Sequence, residues 1–318
     1  MDKAFQVTVV VGSYNPVYEK LERTLKSILL QENVKLQIIV ADDGSEGNCF
    51  GRLRRLFEEY GFTEYILLDS EKNNGTVSNL ARTEEYVTGE YVKWISPGDY
   101  LYDKDVLNGW YRFCKDKDID VSFGDAAYYC YDENGYRPVS AYKYPQAPFL
   151  YNGDKNNQKK IILNYILLND EIVGALFFGK KEILYKYLNR IKGVIVYGED
   201  FMYRLALIDG VRIVYYDKPV IYYEYGIGIS TARDNKWINI LEEEKRSVNH
   251  LICESNEPSD KFTLKVRALL KIKNKKEYTA KKYLYFPQLL YWHMRKRLNK
   301  ATSRMDFDMR FMIILHNI

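Results

Sequence analysis

Five acidic positions carry the chemistry this sequence offers: Asp42 with Asp43, Asp99, and Glu199 with Asp200. Asp99 ends the stretch Glu90-Tyr91-Val92-Lys93-Trp94-Ile95-Ser96-Pro97-Gly98-Asp99, which reads as a short buried strand halted by Pro-Gly. In an open α/β sheet, ligands bind in the crevice outside the carboxyl ends of the strands, so a carboxylate delivered there suits a substrate or a hard cation. Asp42-Asp43-Gly44-Ser45 follows another apolar run. Asp-Gly-Ser alone is an ordinary turn, with Asp able to cap the next helix, yet two adjacent carboxylates at a strand end exceed what a turn needs. Glu199-Asp200 opens a helix, where acids also meet the helix dipole favourably. A carboxylate within hydrogen-bond reach of a hydroxyl is a general base.

The elements that must position these acids follow from periodicity. Strands are expected at Phe5 to Val11, Leu36 to Ala41, Tyr65 to Leu68, Tyr91 to Ile95 and Ile119 to Phe123. Helical spacing runs from Val17 to Leu30, about Arg52 to Tyr60, and Thr76 to about Val87. Such alternation predicts a parallel sheet with right-handed crossovers. Further on, a polar, tyrosine-rich stretch to about Tyr151 reads as an antiparallel insertion or a flexible lid, with Asp132-Glu133-Asn134-Gly135 as its hairpin turn. Strand Ile172 to Phe178, helix Lys180 to Arg190, and two strands, Arg212 to Tyr216 and Val220 to Tyr225, follow. The chain from Trp237 onward is helical.

Composition narrows the classes. Four cysteines lie far apart with only three histidines, which argues against a zinc site or a disulfide framework and suits a reducing compartment. Neither a secretory signal nor a run of eighteen apolar residues is seen, so no membrane-crossing helix is expected. The first turn, Gly12-Ser13-Tyr14-Asn15-Pro16, lacks G-x-G-x-x-G, and no GxxxxGK[ST] occurs, which disfavours a dehydrogenase and a P-loop enzyme. From Lys261 onward 15 Lys/Arg face 3 Asp/Glu, so a basic tail rides on an acidic body.

Val9-Val10-Val11-Gly12-Ser13-Tyr14-Asn15, Val40-Ala41-Asp42-Asp43-Gly44-Ser45, Asn74-Gly75 with Ala81-Arg82-Thr83, and Gly89-Glu90-Tyr91 leading to Ser96-Pro97-Gly98-Asp99 resemble, in order and spacing, the family 2 glycosyltransferases of GT-A fold, of the bacterial cell-surface polysaccharide type. The resemblance implies a Rossmann-like, mostly parallel sheet flanked by helices over residues 1–230, with a nucleotide-binding half to about 100, an acceptor half beyond it, and a helical basic extension over 231–318. It implies an inverting hexosyl- or N-acetylhexosaminyl-transferase that moves sugar from a nucleotide-sugar donor, a UDP-sugar, to a saccharide or lipid-linked acceptor. Ser13, Tyr14, Asn15, Asp42, Asp43, Asn74, Gly75, Arg82 and Ser96 are then the nucleotide-binding set. Tyr14 stacks on the base, Asp43 accepts from the uracil imide, and Arg82 reaches the diphosphate. The plainer readings are a packed tyrosine, a turn with a satisfied Asn, and a solvated helical arginine. Tyr197-Gly198-Glu199-Asp200-Phe201 resembles the family's second signature, which makes Asp200 the base and Glu199 its acceptor-positioning support. Gly226 to Thr231 would be a closing loop.

One departure matters. The family's Asp-x-Asp-Asp is here Ser96-Pro97-Gly98-Asp99, so two acids that hold ribose and a divalent metal are replaced. Mg²⁺ or Mn²⁺ would rest on Asp99, substrate phosphates and water. Metal independence and lost activity are the competing outcomes, and a non-catalytic sugar-nucleotide-binding protein with a degraded motif is the alternative function. The tail interleaves Lys271 to Lys276, Lys281-Lys282 and Arg295-Lys296-Arg297 with Tyr283, Tyr285, Phe286, Tyr291 and Trp292. Basic heads with aromatic belts suit an anionic membrane surface. The resemblance, to transferases many of which act on lipid-linked acceptors, favours that reading and implies a protein in the cytoplasm, peripheral at the inner face of the cell membrane. A solvated appendage or a homo-oligomer contact are the other readings. No nucleic-acid module accompanies the charge.

Overall fold

The computed structural model describes residues 5–132, 135–226, 235–254, 260–298, 300–303 and 306–318. The first five residues of β1 (Val7–Ser13) are all buried, as a central strand covered on both faces requires. α1 (Tyr18–Leu29) turns Leu21, Leu25 and Ile28 into the core. β2 (Leu36–Asp42), α2 (Phe50–Glu59), β3 (Tyr65–Leu68), α3 (Thr76–Ala81) and β4 (Tyr91–Ile95) continue the alternation. α3 stops short of the expected Val87. Thr83 Oγ1 donates back to the Leu80 carbonyl at 2.7 Å, and the chain tightens into a 3₁₀ turn at Glu84–Tyr86.

β5 (Tyr100–Leu101), α4 (Val106–Asp116), β6 (Val121–Asp132), β7 (Gly135–Pro138), α5 (Gln158–Ile162), β8 (Phe177–Lys180), α6 (Lys181–Ile191), α7 (Met202–Ile208) and β9 (Ile213–Glu224) follow. The nine-stranded sheet runs β3-β2-β1-β4-β8-β6-β9-β5, with β7 on β6. Its first four strands are mutually parallel. β8 is antiparallel to both β4 and β6, and β6 and β9 are parallel.

Two expectations are corrected here. The strand expected over Ile172 to Phe178 begins only at Phe177, after a 3₁₀ turn at Gly174–Leu176. The two strands expected over 212–225 are one, because Asp217-Lys218-Pro219 is absorbed as an irregularity in the β6–β9 register near Asp125. The hairpin expected at Asp132 to Gly135 joins β6 to β7, though residues 133–134 lie outside the described residues. So does the closing loop from residue 227 onward.

The C-terminal helices are α8 (Asn235–Glu254), α9 (Lys261–Leu270), α10 (Lys275–Tyr285), α11 (Gln288–Leu298) and α12 (Arg310–Asn317). Val248, Ile252, Val266, Leu269 and Leu289 enter the same core as the sheet. α12 instead packs Phe311, Met312 and Leu315 on Tyr100, Tyr129 and Tyr222. Among the described residues, no helix is long and apolar enough to cross a membrane.

Candidate active site

The register of β1, β2 and β4 sets the turns after Ser13, Asp42 and Ile95 side by side. The first two turns are laced together. Ser13 Oγ donates to Asp42 Oδ1 at 3.1 Å, and the Ser13 carbonyl accepts from the Asp43 N–H at 2.8 Å. Asn15, at φ 43°, takes the left-handed conformation Asn tolerates. Its Oδ1 accepts from the Glu46 N–H at 2.9 Å while its own N–H donates to Ser45 Oγ at 2.7 Å. Tyr14 stands beside it with its side chain 51% exposed.

Asp43 is buried, and its two oxygens accept from the N–H groups of Asn74 (3.0 Å) and Gly75 (2.8 Å). Gly75 sits at φ 85°, and a Cβ there would lie 2.1 Å from Val196 Cγ1, so glycine alone permits the approach. The Val77 N–H donates to the Val196 carbonyl at 3.0 Å, which docks the turn after β3 on the loop before Glu199. Arg82 is occupied. It donates from Nε to Asn79 Oδ1 (2.9 Å), from Nη1 to the Asp69 carbonyl (2.9 Å), and from Nη2 to the carbonyls of Asp42 (2.7 Å) and Leu68 (3.2 Å). The guanidinium therefore clamps the ends of β2 and β3.

Beyond β4, Ser96 is exposed and its carbonyl accepts from the Asp99 N–H at 3.0 Å. Thr24 Oγ1 accepts from the Gly98 N–H at 3.1 Å, and Tyr129 donates to the Gly98 carbonyl at 3.0 Å, so the turn carrying Asp99 is fixed from α1 and β6. Underneath lies Lys93, fully buried on β4, whose Nζ donates to the carbonyls of Ala175 and Phe177. Burial pulls Lys93 down to about 7, opposed by the charges of Asp99 and Glu199. Burial pushes Asp99 up to about 7, with Lys93 opposing and Glu224 adding. Glu224, at the end of β9, is itself paired with Lys20 at 2.5 Å.

Glu199 and Asp200 occupy a 3₁₀ turn, Glu199–Phe201, that runs into α7. Burial raises Glu199 to about 7, with Glu244 adding and Lys93 opposing. Asp200 is held well above the usual carboxylate range, first by burial, then by Glu199 and Glu171, against Lys245. A Cβ on Gly174 would meet Glu199 Oε1 at 2.6 Å, so the bare backbone there makes room for that carboxylate. The loop before Glu199 hangs on α8. Glu244, only 7% exposed, accepts from the N–H groups of Val196 (2.8 Å), Tyr197 (3.0 Å) and Gly198 (2.8 Å).

Lys93 and Glu244 escape a reading of the sequence by motif. Lys93 had one signal, a lone charge inside the apolar strand Tyr91–Ile95. Glu244 lies on the stripe shared with Val248 and Ile252, the buried residues of α8. A charge on a buried stripe needs partners, and that was its signal.

Among the described residues, no three His, Cys, Asp or Glu side chains are grouped to hold a metal. The donors at the end of β4 are the Asp99 carboxylate and the Ser96 hydroxyl. A hard cation that keeps its waters and takes phosphate oxygens needs one such carboxylate, so the donor set accommodates Mg²⁺ or Mn²⁺ only together with a diphosphate.

Parallel strands ending in acids, faced across the sheet by an acidic helix start, define a GT-A-type α/β protein. The sequence profile described as Glycosyl transferase family 2 matches residues 8–188, more than half of the chain, and the chain belongs to that family. Among solved structures it is similar to the mannosyltransferase PcManGT from Pyrobaculum calidifontis in complex with GDP-Man and Mn²⁺ (16% identity, 93% of this chain and 81% of that one, TM-score 0.58). It is also similar to S. aureus TarS 1–349 in complex with UDP-GlcNAc (16% identity, 92% of this chain and 76% of that one, TM-score 0.57). Against the longer S. aureus TarS chain it covers 43% of that length, at 15% identity and TM-score 0.53. At these identities the likeness speaks to fold. No curated protein matches the chain.

Proposed function

We infer that this chain is an inverting glycosyltransferase that takes a UDP-sugar as donor and a saccharide or lipid-linked hydroxyl as acceptor. The observation that carries the reading is the docking of the Asn74–Gly75 turn, held by Asp43, on Val196, three residues before Glu199, which sets the acids at the end of β2 against the loop that carries the acids before α7. Structures of this fold hold UDP-GlcNAc in TarS and GDP-Man with Mn²⁺ in PcManGT, which supports a nucleotide-sugar donor. Tyr14 would stack on the base, with Asp43, Asn74 and Gly75 framing it. Asp99 would hold the divalent cation, which supplies charge neutralisation at the leaving diphosphate when bound. Asp200 takes the proton of the acceptor hydroxyl. The acceptor oxygen bonds to the anomeric carbon as the carbon–oxygen bond to the β-phosphate breaks, and that electron pair leaves with UDP. Burial raises the Asp200 pKa, so its carboxylate, once ionised, is a stronger base toward the acceptor hydroxyl than an ordinary aspartate.

The same reading places the protein against an anionic membrane. On α10 and α11, Leu284, Tyr291, Met294 and Leu298 are all more than half exposed, beside Lys281, Arg295 and Arg297. Apolar anchors ringed by cations are what interfacial binding needs.

Calorimetric titration with UDP, GDP, CMP and TDP, with and without Mn²⁺, tests the donor; selective UDP binding is expected, and no nucleotide binding would refute the reading. Asp200→Asn should lower turnover about 10²- to 10⁴-fold while UDP affinity holds. Loss of both together would remove Asp200 as base.

A further inference from the structure

A cavity lies away from the acids. It is a groove of about 1220 Å³ walled by α5, α6, α9 and the C-terminal ends of α7 and α8. α7 separates it from Glu199 and Asp200 by its own length, about 10 Å at 1.5 Å per residue. Five cations line it (Lys155, Lys159, Lys186, Arg190 and Arg267) against three acids, Asp209, Glu254 and Asp260.

The acids are already engaged. Asp209 pairs with Arg190, Asp260 with Lys159 at 2.8 Å, and Glu254 with His250 at 2.9 Å. Lys155, Lys186 and Arg267 are left without a carboxylate partner among the described residues. Lys155 and Lys186 are exposed, and water serves them. Arg267 is different. It is only 8% exposed, and its Nε has no hydrogen-bond partner. A buried, unpaired guanidinium donor is costly to keep, and a planar fork of N–H groups matches phosphate and carboxylate oxygens better than any other ligand.

We propose that this groove is a second binding site, for a ligand bearing more than one phosphate or carboxylate group, with Arg267 as its anchor and Lys155 and Lys186 as its outer contacts. The volume far exceeds a single anion, and the cations without a carboxylate partner come from three separate elements. This site is independent of the donor pocket and does not rest on the identity of the nucleotide.

Tripolyphosphate and a short oligogalacturonate serve as probes for the two anion chemistries, with neutral dextran as control. Titration at low salt should show at least one anionic probe bound, with the same affinity in Tyr14→Ala, which weakens the donor pocket at an exposed position. Arg267→Met, which keeps bulk and removes the fork, should weaken that binding at least tenfold. The double variant Lys155→Ser/Lys186→Ser, at exposed positions, should weaken it several-fold and flatten its salt dependence. UDP binding should be the same in the wild type, Arg267→Met and the double variant. Loss of probe affinity in Tyr14→Ala, absence of binding to both probes, or affinity unchanged in the Arg267 and Lys155/Lys186 variants overturns the proposal. If Arg267→Met fails to fold by circular dichroism, the double variant decides alone.

Discussion

Glu244→Ala tests whether the loop before Glu199 is held from α8. The carboxylate spans three consecutive N–H groups at 2.8–3.0 Å and is almost fully buried. Hydrogen bonds to a charged acceptor contribute about 1.5–3 kcal/mol each. The three do not add, because Val196 is 42% exposed and water takes over its N–H when the carboxylate is lost. We therefore expect a loss of about 3–4 kcal/mol, a large part of the roughly 5–15 kcal/mol of a typical domain. Glu244→Gln keeps one acceptor oxygen but turns an amide NH₂ toward a donor, so about 1–2 kcal/mol should go. Urea unfolding with an unchanged slope measures both. Turnover should fall further than stability alone dictates, since under conditions where both variants stay folded the loop carrying Glu199 and Asp200 is looser. A Glu244→Ala protein within about 0.5 kcal/mol of the wild type, with unaltered turnover, refutes the reasoning, because a change that small is what an ordinary surface site gives.

Lys93→Met should alter stability in a defined pH window. The folded protein releases the Lys93 proton near 7, whereas the unfolded chain releases it near 10.5, so between these values the unfolded state binds more protons and Lys93 makes stability rise with pH. The difference curve between wild type and variant, from urea midpoints at pH 7 to 10, should carry that slope, and parallel curves would show that Lys93 is not desolvated. Gly174→Ala should displace Glu199, because the added Cβ meets Oε1 at 2.6 Å; a cost of about 1–3 kcal/mol and reduced turnover with UDP affinity intact are expected. Full activity in that variant would mean that Glu199 has room to move.

The first half of the fold was open to sequence reading because parallel strands are uniform apolar runs. Tyr65–Leu68 and Tyr91–Ile95 fall where periodicity puts them. Periodicity failed where two structures share one pattern. Ile172 to Phe178 is an apolar run with Ile172, Leu176, Phe177 and Phe178 buried, and such a run fits a core turn as well as a strand. Asp217-Lys218-Pro219 carries turn chemistry, yet pairing with the long β6 held β9 together through it. The acids of the site were visible because they stand at strand and helix boundaries. Their supports were not: Lys93, Glu244 and the carbonyls that engage Arg82 are chosen by three-dimensional proximity, with sequence separations from 13 to 84 residues.

The docking of the Asn74–Gly75 turn on Val196, with Glu244 behind it, also fixes when the pocket can exist. A ribosome adding about 5–20 residues per second needs roughly 10–30 s to pass from Gly75 to Glu244. Until Val196 is made the turn that Asp43 holds has no opposite wall, and until Glu244 is made that wall is unanchored. The nascent chain thus carries β1 to β4 beside an unfinished crevice, with Gly75 and Val77 waiting for a partner made more than a hundred residues later. Such non-local closure is slow by its topology. Chaperone demand should therefore peak between the emergence of β4 and that of α8, and a chain released within that interval would never assemble the site.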